Sequence, residues 1–273
     1  MKEIFILPKA GDSVSWLVPP ELPTLNNDEV HIWRASLEMT PYQLKTMERI
    51  LSADELNRAG KYYFQKDRDC FIASRGLLRT MLGSYLLMQP DELRFCYGPF
   101  GKPALEEKTR GKMLCFNVSH SHGLALFSCA FDREIGVDLE YIRADISTGD
   151  IAAQFFTQRE ADALNSLPEN IRQKAFFTLW SRKEAVMKAD GMRLALERNQ
   201  YEVLPDQNEM HITCRPGNEP QAEDIRSLRD LDAGPGFAAA LAVKGRDCRL
   251  RFWQWQKPSP SQLRQQPKAG ASK

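Results

Sequence analysis

Ile135-Gly136-Val137-Asp138-Leu139-Glu140 restricts the fold more than any other stretch of this 273-residue chain. Strand side chains alternate, so Asp138 and Glu140 project from one face and Val137 and Leu139 from the other. A second segment, Trp180-Ser181-Arg182-Lys183-Glu184-Ala185-Val186-Met187-Lys188, reads as helix. Residues four apart are neighbours on a helix surface, so Trp180, Glu184 and Lys188 form one stripe. Three carboxylates on two rigid elements could hold a hard divalent cation such as magnesium, with an ammonium one turn from the third. Each piece alone also fits a solvated strand face and an ordinary Glu–Lys pair. Joint occurrence gives them weight.

The charge balance, 37 Lys and Arg against 36 Asp and Glu, gives no support to a nucleic-acid or membrane-surface binder. A 42% apolar content is enough for a core. The six cysteines form no CxxC pair and match no zinc spacing, so free thiols in a reducing compartment are expected. The opening Met1–Leu7 run is too short for a signal peptide, and no stretch reaches the roughly 20 apolar residues of a membrane span. A soluble cytoplasmic protein is expected.

Along the chain, Val30–Ala35 alternates as a strand. Thr40-Pro41 opens a helix to about Leu51, with Pro at the first helical position. Ser52 and Glu55 form a capping box for the next helix, and a longer one follows from about Lys66 to Leu87. Arg68, Arg75 and Arg79 line one side of it. Glu92–Tyr97 reads as a strand, and Gly98-Pro99-Phe100-Gly101-Lys102-Pro103 as a turn. Cys115–Ser119 and Leu124–Cys129 read as strands joined through Ser121-His122-Gly123. Thr157 and Glu160 make a second capping box, and the Trp180 helix should end at Gly191. Short strands are expected around Tyr201–Leu204 and Met210–Cys214, with Phe237–Val243 and Arg249–Trp255 as a closing strand pair. Residues 257–273 read as a disordered tail. No sequence repeat is evident. Helices grouped apart from meandering strands favour α+β.

Gly101-Lys102-Pro103 offers a cation on a stiff turn, without the spacing of a Walker loop. Phe116-Asn117-Val118-Ser119-His120-Ser121 places polar groups at a strand end. With Gly136–Glu140, Phe155-Phe156-Thr157 and Trp180–Lys188, these five segments in this order resemble the Sfp-type 4′-phosphopantetheinyl transferases. The resemblance is strong over about residues 50–190 and loose elsewhere.

The resemblance implies an enzyme that moves the 4′-phosphopantetheine arm of coenzyme A to a serine of an apo acyl or peptidyl carrier protein, releasing 3′,5′-ADP. It implies a pseudo-dimer of two similar α+β subdomains, each with helices packed on a small, mainly antiparallel sheet, here residues 1–132 and 133–256. Asp138, Glu140 and Glu184 would bind magnesium, or manganese, against the pyrophosphate. Glu184 or a metal-bound water would take the serine proton, and Lys188 would meet the departing phosphate. Arg58, Gly101, Lys102, Pro103, Asn117, Ser119, His120 and Lys188 would contact coenzyme A, with Arg79 near its nucleotide end. Two departures stand out. Glu55 occupies a position where relatives can carry a basic residue, leaving Lys61 as the alternative cation. His122 stands where many relatives have Gly. A monomer acting on carrier proteins, with no nucleic acid and no membrane, is expected. Two alternatives stand beside it: a coenzyme A or nucleotide-binding module without turnover, and a metal-dependent pyrophosphate hydrolase.

Overall fold

A computed structural model describes residues 14–20, 23–106, 108, 111–191, 201–203, 213–214, 226–245 and 248–256. Its element order runs through one plan twice. The first pass is β1 (Glu29–Ser36), three helices α1 (Pro41–Arg49), α2 (Ala53–Ala59) and α3 (Gln65–Leu86), a short pair β2 (Phe95–Tyr97) and β3 (Pro103–Leu105), and a long hairpin β4 (Leu114–Ser121) and β5 (Leu124–Phe131). The second is β6 (Ile135–Tyr141), α4 (Thr148–Phe155), α5 (Gln158–Asn165), α6 (Glu169–Ala189), the short pair β7 (Tyr201–Glu202) and β8 (Thr213–Cys214), then β9 (Arg226–Asp230) and β10 (Phe237–Lys244). The sheets repeat as well: β1-β5-β4 and β6-β10-β9, each antiparallel with the last strand in the middle. β11 (Arg249–Gln254) breaks the symmetry by joining β1 in parallel. This is the expected α+β pseudo-dimer, legible in topology although the two halves share no evident sequence repeat.

Local chemistry sets the helix ends. Thr40 Oγ1 accepts the Gln43 N–H at 3.3 Å while Gln43 Oε1 accepts the Thr40 N–H at 2.9 Å. Thr157 and Glu160 repeat that exchange at α5. Gly191, at φ +72°, follows the end of α6. The layers run helices, sheet, sheet, helices. Leu77, Leu78 and Met81 of α3 pack with Trp33 and Phe127 of the first sheet. Leu179, Val186 and Met187 of α6 pack with Ala240 and Ala242 of the second. Between the sheets, Ile32 and Leu126 meet Val137, Leu139 and Leu241.

The two sheets also meet edge to edge. β4 and β6 are both edge strands, and no backbone ladder joins them. Instead Asn117 Oδ1, Ser119 Oγ and Ser121 Oγ accept the N–H groups of Val137, Leu139 and Tyr141 at 2.9, 3.2 and 3.0 Å. Residues two apart on one strand face residues two apart on the other, so side chains satisfy backbone donors that would otherwise be left unpaired at the junction.

Three expectations need correction. β10 and β11 do not pair: β10 has β6 on one edge and β9 on the other, and Trp253 of β11 packs against Trp33 at 6.3 Å. β9 was not foreseen, because Arg-Ser-Leu-Arg-Asp carries one apolar residue and no readable alternation. The strand expected from Glu92 begins at Phe95, since Pro90–Glu92 winds a 3₁₀ turn with the Gln89 N–H on Glu92 Oε2. Leu204, Met210 and residues 257–273 lie outside the described residues.

Candidate active site

Gly136 permits the closest contact between β6 and α6. A Cβ there would stand 2.0 Å from Ala185 O and 2.4 Å from Ala189 N. No side chain fits, so helix and strand backbones lie flush. Two residues further on, this brings Asp138 under Lys188. Lys188 Nζ donates to Asp138 Oδ1 at 2.6 Å, and Asp138 is only 2% exposed. Its second oxygen, Oδ2, is buried without a hydrogen-bond partner.

Glu140 and Glu184 are electrostatic neighbours of this pair. Desolvation, then the charge of Asp138, push Glu140 up to about 7; Lys188 opposes this and Glu184 adds to it. The Trp180 side chain hydrogen-bonds to Glu140, so both ends of the predicted stripe reach the strand. Burial alone would lower the Lys188 ammonium, but Asp138, Glu184 and Glu140 together outweigh it and raise its pKa. Three carboxylates thus surround one ammonium. Among the described residues, however, no three His, Cys, Asp or Glu side chains are gathered into a chelating cluster. The expected three-carboxylate chelate is therefore not assembled here, and Lys188 holds one of its members. The all-oxygen donor set still fits a hard divalent cation, on the orphaned Asp138 Oδ2.

His120 follows Ser119 on β4. Its accessible area marks it as exposed, yet desolvation and then the Lys188 charge lower its pKa. The ring is neutral near pH 7.

Other expected residues lie elsewhere. Lys102 Nζ donates to Ile135 O at 2.9 Å and Ala189 O at 3.0 Å, tying the turn between β2 and β3 to the start of β6 and the C-terminus of α6. A cation there complements the helix dipole. Gly101, at φ +80°, donates its N–H to Gly98 O, and Pro103 pairs with Tyr97. Arg58 is exposed, with its guanidinium 5.4 Å from the Phe71 ring centroid. Arg79 does not face a cleft: it is 1% exposed, with Nε on Glu55 Oε2 at 2.7 Å and Nη1 on the carbonyls of Pro90 and Leu93. Glu55 also takes Arg75 Nε at 2.9 Å, so Glu55 ties these two cations into the fold. Within the Trp180 segment, Ser181, Arg182 and Lys183 serve packing: Ser181 Oγ donates to Ala238 O, Arg182 forks onto Asp230 at 2.8 and 2.6 Å, and Lys183 meets Glu160 at 2.7 Å. The role of Gly136 was missed, although a glycine inside a strand is itself a sign of close backbone approach.

The chain matches the 4′-phosphopantetheinyl transferase superfamily over residues 134–242 and the N-terminal region of 4′-phosphopantetheinyl transferases over residues 33–130. It is 39% identical to the 4′-phosphopantetheinyl transferase HetI of Nostoc, over 88% of this chain and 98% of that protein. To the 4′-phosphopantetheinyl transferase Sfp of Bacillus subtilis it is 25% identical, over 71% of this chain and 82% of that one. The chain belongs to the 4′-phosphopantetheinyl transferase superfamily and is an enzyme of that class, transferring phosphopantetheine to carrier proteins. No helix among the described residues is long and apolar enough to cross a membrane.

Proposed function

We propose that the Asp138, Glu140, Glu184 and Lys188 cluster is the catalytic centre of a magnesium-dependent transfer from coenzyme A to a carrier-protein serine, with 3′,5′-ADP as the second product. One observation carries this reading: Asp138 is committed to Lys188 through Oδ1 while its buried Oδ2 has no partner. Asp138, Glu140 and Glu184 would hold magnesium or manganese, and a bound cation would neutralise pyrophosphate charge against an incoming hydroxyl. Phosphoryl transfer asks for positioning and charge neutralisation more than covalent chemistry. Lys188, its ammonium form favoured by the neighbouring carboxylates, is a donor for a phosphate oxygen of the leaving group. His120, neutral near pH 7, offers a hydrogen bond to a phosphate. Glu184, on the face of α6 shared with Lys188, accepts the serine proton directly or through water. Arg58, Gly101, Lys102 and Pro103 border the coenzyme, with Lys102 exchanging a backbone carbonyl for a phosphate when ligand is present. The two halves, divided after residue 132, work as one monomeric cytoplasmic enzyme on acyl or peptidyl carriers.

The test is Glu184→Gln, nearly isosteric. Mass spectrometry of an apo carrier panel with magnesium and coenzyme A should show loading by the wild type and a loss of about a thousandfold or more in the variant, at unchanged Tm. Wild-type rates in the variant would remove Glu184 from the reaction. Cleavage of coenzyme A with no carrier present would favour a hydrolase.

A further inference from the structure

The Lys183–Glu160 pair packs the second half, and its place on α6 gives it a further part. Lys183 directly precedes Glu184, and successive side chains on a helix point about 100° apart. Glu184 and Lys188 share the face turned to β6, so Lys183 points elsewhere. It is wholly buried, with Nζ on Glu160 Oε2 at 2.7 Å and 5.7 Å from the Phe156 ring centroid. Glu160 is itself 1% exposed. Its Oε2 also accepts the Thr157 N–H at 2.8 Å, closing the capping box of α5. Its Oε1 accepts the Val203 N–H, just past β7, at 2.8 Å. One carboxylate thus ties together the start of α5, the middle of α6 and the end of β7.

We propose that Glu160 is a positioning residue for Glu184, acting through Lys183. A buried ammonium parted from its carboxylate is an uncompensated charge, so α6 cannot turn about its axis without breaking the pair. The rotation of α6 in turn sets where Glu184 and Lys188 meet the acids of β6. A turn of about 10° moves a group at the helix rim, about 6 Å from the axis, by about 1 Å. A displacement of about that size can cost a hundredfold in rate. The first half carries the same device without this consequence: Glu55 holds Arg75, and the residue after Arg75 is Gly76.

This inference rests on the transferase reading above, and the experiment separates the two. Glu160→Gln, Lys183→Met and the double variant are compared with wild type. Tyr85→Phe is the reference for instability alone, since it strips a hydroxyl from buried His31 and Trp33 in the first half. Readouts are steady-state kinetics below the lowest Tm, calorimetric coenzyme A binding in EDTA, and the magnesium-induced Tm shift with coenzyme A present. Each single variant leaves a charge or its partner stranded and should lower Tm, with kcat down about ten- to a hundredfold. Metal-free coenzyme A affinity should stay within about twofold, and the magnesium-induced shift should shrink. The double variant buries no charge at this point, so its Tm should return towards wild type while kcat stays about tenfold low or worse. Tyr85→Phe should lower Tm at unchanged kcat. Recovery of kcat along with Tm in the double variant would make the pair a matter of stability alone and overturn the proposal. So would wild-type kcat in Lys183→Met, or an equal kcat loss in Tyr85→Phe. If neither single variant folds, the double variant decides. If wild type loaded no carrier, the transfer reading would fail; loss of the magnesium-induced shift in the double variant would then uphold the positioning role, and an undiminished shift would overturn it.

Discussion

In the first half of the molecule, β1 turns His31 and Trp33 towards α3, where the Tyr85 hydroxyl meets His31 Nδ1 at 2.6 Å and Trp33 Nε1 at 2.9 Å. Burial pushes His31 down to about 4, so the ring is neutral and shares the Tyr85 hydroxyl with Trp33. In the second half, β6 turns Gly136, Asp138 and Glu140 towards α6, and one carboxylate oxygen is left without a partner. The helices differ in the same sense. In each half the capping-box glutamate of the second helix reaches a cation on the third: Glu55 to Arg75 and Arg79, Glu160 to Lys183. The residue after Arg75 is Gly76, but the residue after Lys183 is Glu184; one turn later stand Thr80 and Lys188. One architecture thus appears twice, and in the second copy a buried carboxylate oxygen without a partner stands beside two further acids and one ammonium.

The largest effect should come from opening a closed cluster. Glu55→Gln leaves two buried guanidiniums without their counter-charge and should cost about 3–5 kcal/mol, read by denaturant melting. A loss under about 1 kcal/mol would mean that water or a bound anion balances these cations, and would erase the contrast between halves. Next is Gly136→Ala, whose methyl would stand 2.0 Å from a helix carbonyl. Overpacking of this kind costs about 1–3 kcal/mol, and it should also carry Lys188 away from Asp138, so that activity falls further than stability explains. Unchanged activity would show that the flush contact is not what sets the pair.

Much of this was legible beforehand because the signals were local. The boxes at Ser52/Glu55 and Thr157/Glu160, the proline at 41 and the glycine at 191 mark helix ends through contacts within a few residues. The alternation in 135–140 and the four-residue spacing of 180, 184 and 188 placed the acids and the ammonium on facing surfaces. What could not be read was the long-range use of polar side chains. Arg79 looks like an anion ligand until Glu55, 24 residues away, is seen on it. Lys102 was read as a phosphate contact, and its reach to Ala189 O, 87 residues on, could not be read. Asn117, Ser119 and Ser121 look like a strand end, and only the meeting of two sheet edges shows why three acceptors stand two residues apart. β11 joins β1 across the whole chain, which no local pattern encodes.

The crowding of Glu140 by burial and by its acidic neighbours is tested most directly by thermal melting of wild type and Glu140→Gln at pH 8, with and without magnesium, in the presence of coenzyme A. The folded pKa of Glu140 is about 7, above the usual 4.5, so its favourable contribution is complete below pH 4.5 and is lost as pH rises through 7. At pH 8 the charged carboxylate destabilises the metal-free protein. Glu140→Gln should therefore melt higher than wild type without metal and gain less from magnesium, while wild type gains more. A variant that melts no higher than wild type without metal, together with an undiminished magnesium shift, would contradict the account.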